Sequence, residues 1–162
     1  MNTDLYKSAF ILGGTSTIAK SICKQLAKNG CKKFHLVSRD LKGHKELIEN
    51  LRNFYKVEVT EEYNDLLLNT KGNYYRPKID YYDIYIIASG AIGDNQLANY
   101  DLKEALKINS VNYAGILPWL IEIMTEERIK YKGSLWVLSS VASDWGIPSN
   151  YHYGAYKAAL SI

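Results

Sequence analysis

The apolar positions of this chain fall into short runs separated by longer polar stretches. Ala9-Phe10-Ile11-Leu12 is a run of buried-strand type, and it breaks into Gly13-Gly14-Thr15-Ser16-Thr17-Ile18-Ala19. Ile18, Ile22 and Leu26 then recur every four residues with Ala19, Cys23 and Ala27 alongside, and Gly30 follows Asn29 where a C-terminal cap belongs. This pattern predicts a strand, a tight turn and a helix. Phe34-His35-Leu36-Val37 predicts a second strand, residues 42–53 a polar helix, residues 56–60 a third strand, and the vicinity of Asp65 a short helix. Residues 69–82, with Gly72, Pro77 and tyrosines at 74, 75, 81 and 82, read as loop. Asp83-Ile84-Tyr85-Ile86-Ile87 is a fourth apolar run. Asp101 and Glu104 offer an N-cap to a helix that runs to about Ile129, with Asn112 inside it and Pro118 as a kink, and Gly133 opens a strand over 134–138. Strands alternating with helices of this length predict an α/β architecture with a right-handed parallel sheet.

Composition narrows the class. The 162 residues, 47% hydrophobic and 23% charged with three prolines, suit a single domain over 1–162 with one sizeable core. A run of about 18 apolar residues is absent and Met1-Asn2-Thr3-Asp4 lacks the basic and apolar regions of a signal peptide, so no membrane association and a cytoplasmic location are expected. The net charge of +3 is scattered and forms no basic stripe, which argues against nucleic acid as a partner. Cys23 and Cys31 lack C-x-x-C spacing and read as reduced thiols; with His35, His44 and His152 they form no metal-ligand pattern.

Two places carry candidate chemistry. In the first turn, Gly13 permits a close approach of backbone to a pyrophosphate, and the amides at the start of the following helix, around Thr15, Ser16, Thr17 and Ile18, add donors and a positive dipole end. Near the end of the chain, Tyr153 and Lys157 in YGAYK stand four apart, on one face of a helix, so a Lys157 ammonium beneath the phenol favours its ionised form. Ser140, thirteen residues before Tyr153, would hold a substrate carbonyl within reach of that phenol. Each residue also has a plain structural use: a chain with 14 tyrosines meets Tyr-x-x-x-Lys easily, Ser139 and Ser140 can cap a strand end, and Lys157 can be a solvated helix lysine.

The turn at Leu12, Gly13, Thr17 and Ala19 resembles the Thr-Gly-x-x-x-Gly-x-Gly turn of the short-chain dehydrogenase/reductase family, with one glycine kept and alanine last. Ile87-Ala88-Ser89-Gly90, closing the fourth apolar run, aligns with that family's Asn-Asn-Ala-Gly turn with Ile87 and Ala88 in place of both asparagines, and Asn112 falls at its helix asparagine, in the right order before Ser140, Tyr153 and Lys157. The resemblance implies a Rossmann-type doubly wound sheet of order 3-2-1-4-5 and a dinucleotide contacting Gly13 to Ile18, Ala88, Ser89 and Gly90. It also implies a hydride passed between nicotinamide and a small-molecule carbonyl or alcohol. In that scheme Tyr153 gives the proton, Lys157 supports Tyr153 and binds nicotinamide ribose, Ser140 orients the oxygen, and Asn112 holds a relay water. At the end of the second strand, Ser38 followed by Arg39 favours NADP(H) over NAD(H), although Asp40 stands one residue further and the pair can equally be a polar turn.

Members of the family continue past this helix with further strands and often dimerise through it. The sequence therefore reads as lacking the last strands: the front of a longer reductase able to form a homo-oligomer, the product of an early stop, or a non-catalytic nucleotide-binding module. A sugar-nucleotide epimerase of the extended type shares Tyr-x-x-x-Lys but wants glycines where Ser16 and Ala19 stand.

Overall fold

The computed structural model describes residues 5–70, 75–125 and 133–161. It contains one five-stranded sheet, β1 (Ser8–Leu12), β2 (Lys33–Ser38), β3 (Glu58–Tyr63), β4 (Ile84–Ile87) and β5 (Ser134–Val137), in the order β3-β2-β1-β4-β5. That is the predicted Rossmann-type order. The chain divides into two compact units, residues 1–64, 80–88 and 125–136, and residues 65–79, 89–124 and 137–162.

In the first unit β1 pairs in parallel with β2 through Ser8↔Lys33 to Leu12↔Val37 and with β4 through Ala9↔Ile84 to Leu12↔Ile87, and β2 pairs in parallel with β3. Parallel strands covered on both faces read as unbroken apolar runs, which is why they stand out in the sequence. One face carries Ala9, Ile11, Phe34, Leu36, Ile84 and Ile86 into a core shared with α1 (Thr17–Lys28) and α2 (Lys45–Tyr55). On the other face Phe10 stacks on His35 with centroids 5.6 Å apart and meets Tyr82 and Tyr85. The Asp83 carboxylate accepts from the amides of Lys7 and Ser8, pinning the start of β1 to the start of β4.

The four-residue stripe in α1 is real, and the small residues beside it are the ones most deeply buried. Ala19, Cys23 and Ala27 are buried, Ile22 and Leu26 pack at the flank, and Ile18 is 60% exposed. Small residues face the sheet because only they let the helix backbone come close. Gly30, at φ +95°, ends the helix while Cys31 N donates to Leu26 O. Both cysteines are buried thiols, Cys23 pushed up to about 12 and Cys31 to about 11 chiefly by desolvation, so neither is reactive near neutrality. The polar helix begins as a 3-10 turn at Lys42–His44 before α2, and Lys56 closes it in the left-handed region at φ +54°, which moves the strand start to Glu58.

The second unit holds α3 (Leu102–Asn109), α4 (Leu117–Ile123), α5 (Val141–Asp144) and α6 (Tyr151–Ser161). Asp101 caps α3 as expected, its side chain accepting from Lys103 N. The predicted continuous helix from 101 to 129 is broken, however. A π turn at Ser110–Ala114 follows α3, and Pro118 sits in the first turn of α4, where it starts a helix rather than kinking one. The break lies where Gly115 approaches backbone so closely that a Cβ there would collide with the Leu66 carbonyl and lie 2.6 Å from Ser110 O. Residues 126–129 fall outside the described residues, as do Gly72 and Tyr74 of the predicted loop. No helix forms at Asp65, whose carboxylate accepts from Leu67 N and makes a local turn. Among the described residues no helix is long and apolar enough to cross a membrane, and no three His, Cys, Asp or Glu come together as metal ligands.

Candidate functional site

The glycine turn lies in the first unit. Gly13 takes φ +92°, open to glycine at no cost, and its amide and that of Gly14 donate to Val37 O, tying the turn to the end of β2. Ser16 caps α1, its hydroxyl accepting from Ala19 N. The amides of Thr15, Thr17 and Ile18 have no acceptor among the described residues and, at the end of a twelve-residue helix, suit an anion. A dinucleotide pyrophosphate fits this donor set.

The loop after β2 decides how Ser38, Arg39 and Asp40 are used. Ser38 is buried and donates to Asp40 O, and the Asp40 carboxylate accepts from Gly43 N at 3.1 Å. Arg39 is exposed and its guanidinium has no partner among the described residues.

In the second unit Lys157 is 3% exposed, and its ammonium donates to Ser89 O at 3.1 Å and Leu138 O at 2.9 Å. Gly90 lies beside it: a Cβ there would come 3.0 Å from Lys157 Nζ and 3.1 Å from Asn112 Oδ1. Ser89, Gly90, Asn112 and Lys157 are thereby brought to one place. The Asn112 side chain is fully buried and fully used, donating to Ala91 O and Ile108 O and accepting from Ala91 N. It clamps the loop after β4, with both amide hydrogens committed to carbonyls. In the π turn, Gly115 N reaches back to Ser110 O and Ile116 N to Tyr113 O. The two amides that would serve the Val111 and Asn112 carbonyls in a regular α-helix thus point elsewhere.

Burial lowers the pKa of Lys157, because desolvation penalises the ammonium. The unfolded chain then keeps this proton to higher pH than the folded one, so stability rises with pH between the lowered folded value and the ordinary lysine value of about 10.4. Denaturant titrations in mildly alkaline buffers are expected to show the wild type gaining stability relative to Lys157→Met as pH climbs. Parallel pH profiles would refute this placement of the ammonium.

Tyr153 lies one helical turn before Lys157 on α6, and its phenol has no hydrogen-bond partner among the described residues. Its backbone amide donates to Asn95 Oδ1 at 3.1 Å, so Asn95, itself buried and donating to Ile92 O, caps α6 from 58 residues away. Ser140 caps α5: its hydroxyl oxygen accepts from Ala142 N, leaving the proton free to be donated. Ser139 turns to the helix end, bonding Ser143, Ser161 and Lys157 O. Gly154 lets α6 press onto α5, for a Cβ there would collide with the Ala142 carbonyl.

Sequence reasoning missed Asn95 and His44. The imidazole of His44 is completely buried behind the glycine turn, and no repeat or motif marks either residue.

The family model described as short chain dehydrogenase matches residues 7–162. Among solved structures, a 7β-hydroxysteroid dehydrogenase superposes with a TM-score of 0.80 at 21% identity, over 99% of this chain and 65% of that one. An actinorhodin polyketide ketoreductase with NADPH gives 0.76 at 18% identity, over 95% of this chain and 60% of that one. An NAD⁺-bound xylitol dehydrogenase gives 0.78 at 17% identity with the same two coverages. At these identities the likeness is one of fold, and the chain spans about 60% of the length of the latter two.

Proposed function

The chain belongs to the short-chain dehydrogenase family, and on that premise we propose that it moves hydride between NADP(H) and a small carbonyl or alcohol substrate. The observation that carries this reading is the buried Lys157 ammonium, fixed by two carbonyls one helical turn from an unpartnered Tyr153 phenol. When bound, the nicotinamide supplies or accepts the hydride at its C4. The Tyr153 phenol gives its proton to the alkoxide oxygen as reduction proceeds and takes it back in oxidation. Lys157, with one donor to spare, holds a ribose hydroxyl and places positive charge near the phenol. The free Ser140 hydroxyl proton orients the substrate oxygen. A relay water is held by the Asn112 carbonyl that the π turn releases, while the Asn112 side chain fixes the loop at Ala91. The turn at Gly13, Thr15, Ser16, Thr17 and Ile18 takes the pyrophosphate, and Ala88, Ser89 and Gly90 are further cofactor contacts of this reading.

The preference for NADP(H) is supported by the division of labour at the end of β2. Asp40 is committed to Gly43 N and Arg39 is free for a 2′-phosphate. Binding titrations should show NADPH held more tightly than NADH. Arg39→Ala is expected to erode that ratio by roughly 10- to 100-fold, the worth of a charge-assisted hydrogen bond. A wild type that holds NADH at least as tightly, or a ratio unmoved by Arg39→Ala, would reverse the assignment.

A further inference from the structure

His44 has 0% exposure, yet only one of its ring nitrogens is served. Nδ1 lies 3.0 Å from the Glu61 Oε1 of β3, while Nε2 is buried without a hydrogen-bond partner among the described residues. The ring occupies the space behind the glycine turn: a Cβ on Gly14 would sit 2.8 Å from Nε2 and 3.2 Å from Leu36 Cβ. The two loops meet again at Gly43, where a Cβ would sit 2.8 Å from Thr15 Cγ2. A carboxylate only accepts, so a proton on Nδ1 faces Glu61, and a ring with that proton alone carries a bare lone pair on Nε2 against Gly14. An aliphatic side chain would fill that space without the cost of about 1–3 kcal/mol that attends an unserved buried polar atom.

We propose that His44 is part of the dinucleotide site and takes up a proton from solvent when phosphate occupies the turn. The second proton puts a cation directly behind Gly14, in a dry setting where its attraction for an anion is weakly screened, and it adds to the dipole of α1. Glu61 is the charged group bonded to the ring. Gly14 and Leu36, which lie beside it in the turn and β2, do not titrate, and within its own loop the Asp40 carboxylate is bonded to Gly43 N.

The inference rests on the dinucleotide reading above, and one experiment separates the two. NADP⁺ is titrated calorimetrically near neutral pH in buffers of different ionisation enthalpy, which counts protons taken up, for the wild type and for His44→Gln. Titration of the 2′-phosphate is common to both proteins and cancels in the difference. The wild type is expected to take up a larger fraction of a proton, and its affinity to strengthen relative to the variant as pH falls, by at most about tenfold per pH unit. Equal uptake with binding intact would overturn the role of His44 and leave the dinucleotide reading standing. A wild type that binds no dinucleotide would overturn both. Should His44→Gln fail to fold, Glu61→Gln serves, since loss of the carboxylate is expected to diminish the uptake at a given pH; unchanged uptake would again sink the proposal.

Discussion

Tyr153→Phe is expected to lower kcat by roughly 10²- to 10⁴-fold while leaving the dinucleotide Kd unchanged, because the substitution deletes one proton donor and little else. The phenol has no hydrogen-bond partner among the described residues, so no structural bond is broken. The anchoring of this stretch of α6 runs through the backbone, from Tyr153 N to Asn95 Oδ1, and is blind to the side chain. Lys157 likewise keeps both its carbonyl partners. Steady-state kinetics beside a binding titration separate the two quantities. A matching fall in affinity would show that the hydroxyl acts in binding, and an unchanged kcat would remove it from the chemistry.

The second large effect is expected at Gly154→Ala, where two physical terms have opposite signs. Alanine is the better helix former by about 1 kcal/mol, so propensity alone predicts a gain. A Cβ at this position, however, would collide with the Ala142 oxygen and lie 3.3 Å from its carbonyl carbon, and both are backbone atoms that cannot rotate away. Overpacking of this kind costs about 1–3 kcal/mol and more when backbone must move, so packing should win and the variant should unfold at lower denaturant concentration. Because α5 begins at the Ser140 cap and α6 carries Tyr153 and Lys157, activity is expected to fall with stability. Gly146→Ala is the control, since a Cβ there meets nothing within 4 Å. Equal behaviour of the two alanine variants in urea would contradict the close packing of α5 and α6.

The sheet was legible in the sequence because β1, β2 and β4 are apolar on both faces, and the turn after β1 because only glycine serves at φ +92°. What escaped depends on distant contacts. The break after Asn109 follows from the approach of Gly115 to Leu66, about fifty residues earlier, which no local pattern records. Periodicity located α1 but did not tell which of its apolar residues meet the sheet, where the close fit selects Ala19 and Ala27 over Ile18. Spacing singled out Tyr153 and Lys157. It could not show that Gly90 lies between Lys157 and Asn112, that the Asn112 amide is spent on Ala91, or that Ser140 doubles as a cap. Asn95 and His44 make contacts across 58 and 17 residues, below the reach of any repeat or motif.

Hydride transfer is the central step, and the most direct measurement is the fall of NADPH absorbance when the protein is mixed with a panel of aldehydes and ketones of graded size. Oxidation of NADPH by at least one of them, in proportion to protein and with an alcohol formed in equal amount, is the predicted result. Saturable binding of NADPH with no oxidation across the panel would contradict the account and identify the chain as a nucleotide-binding module that carries the residues of a reductase without its reaction.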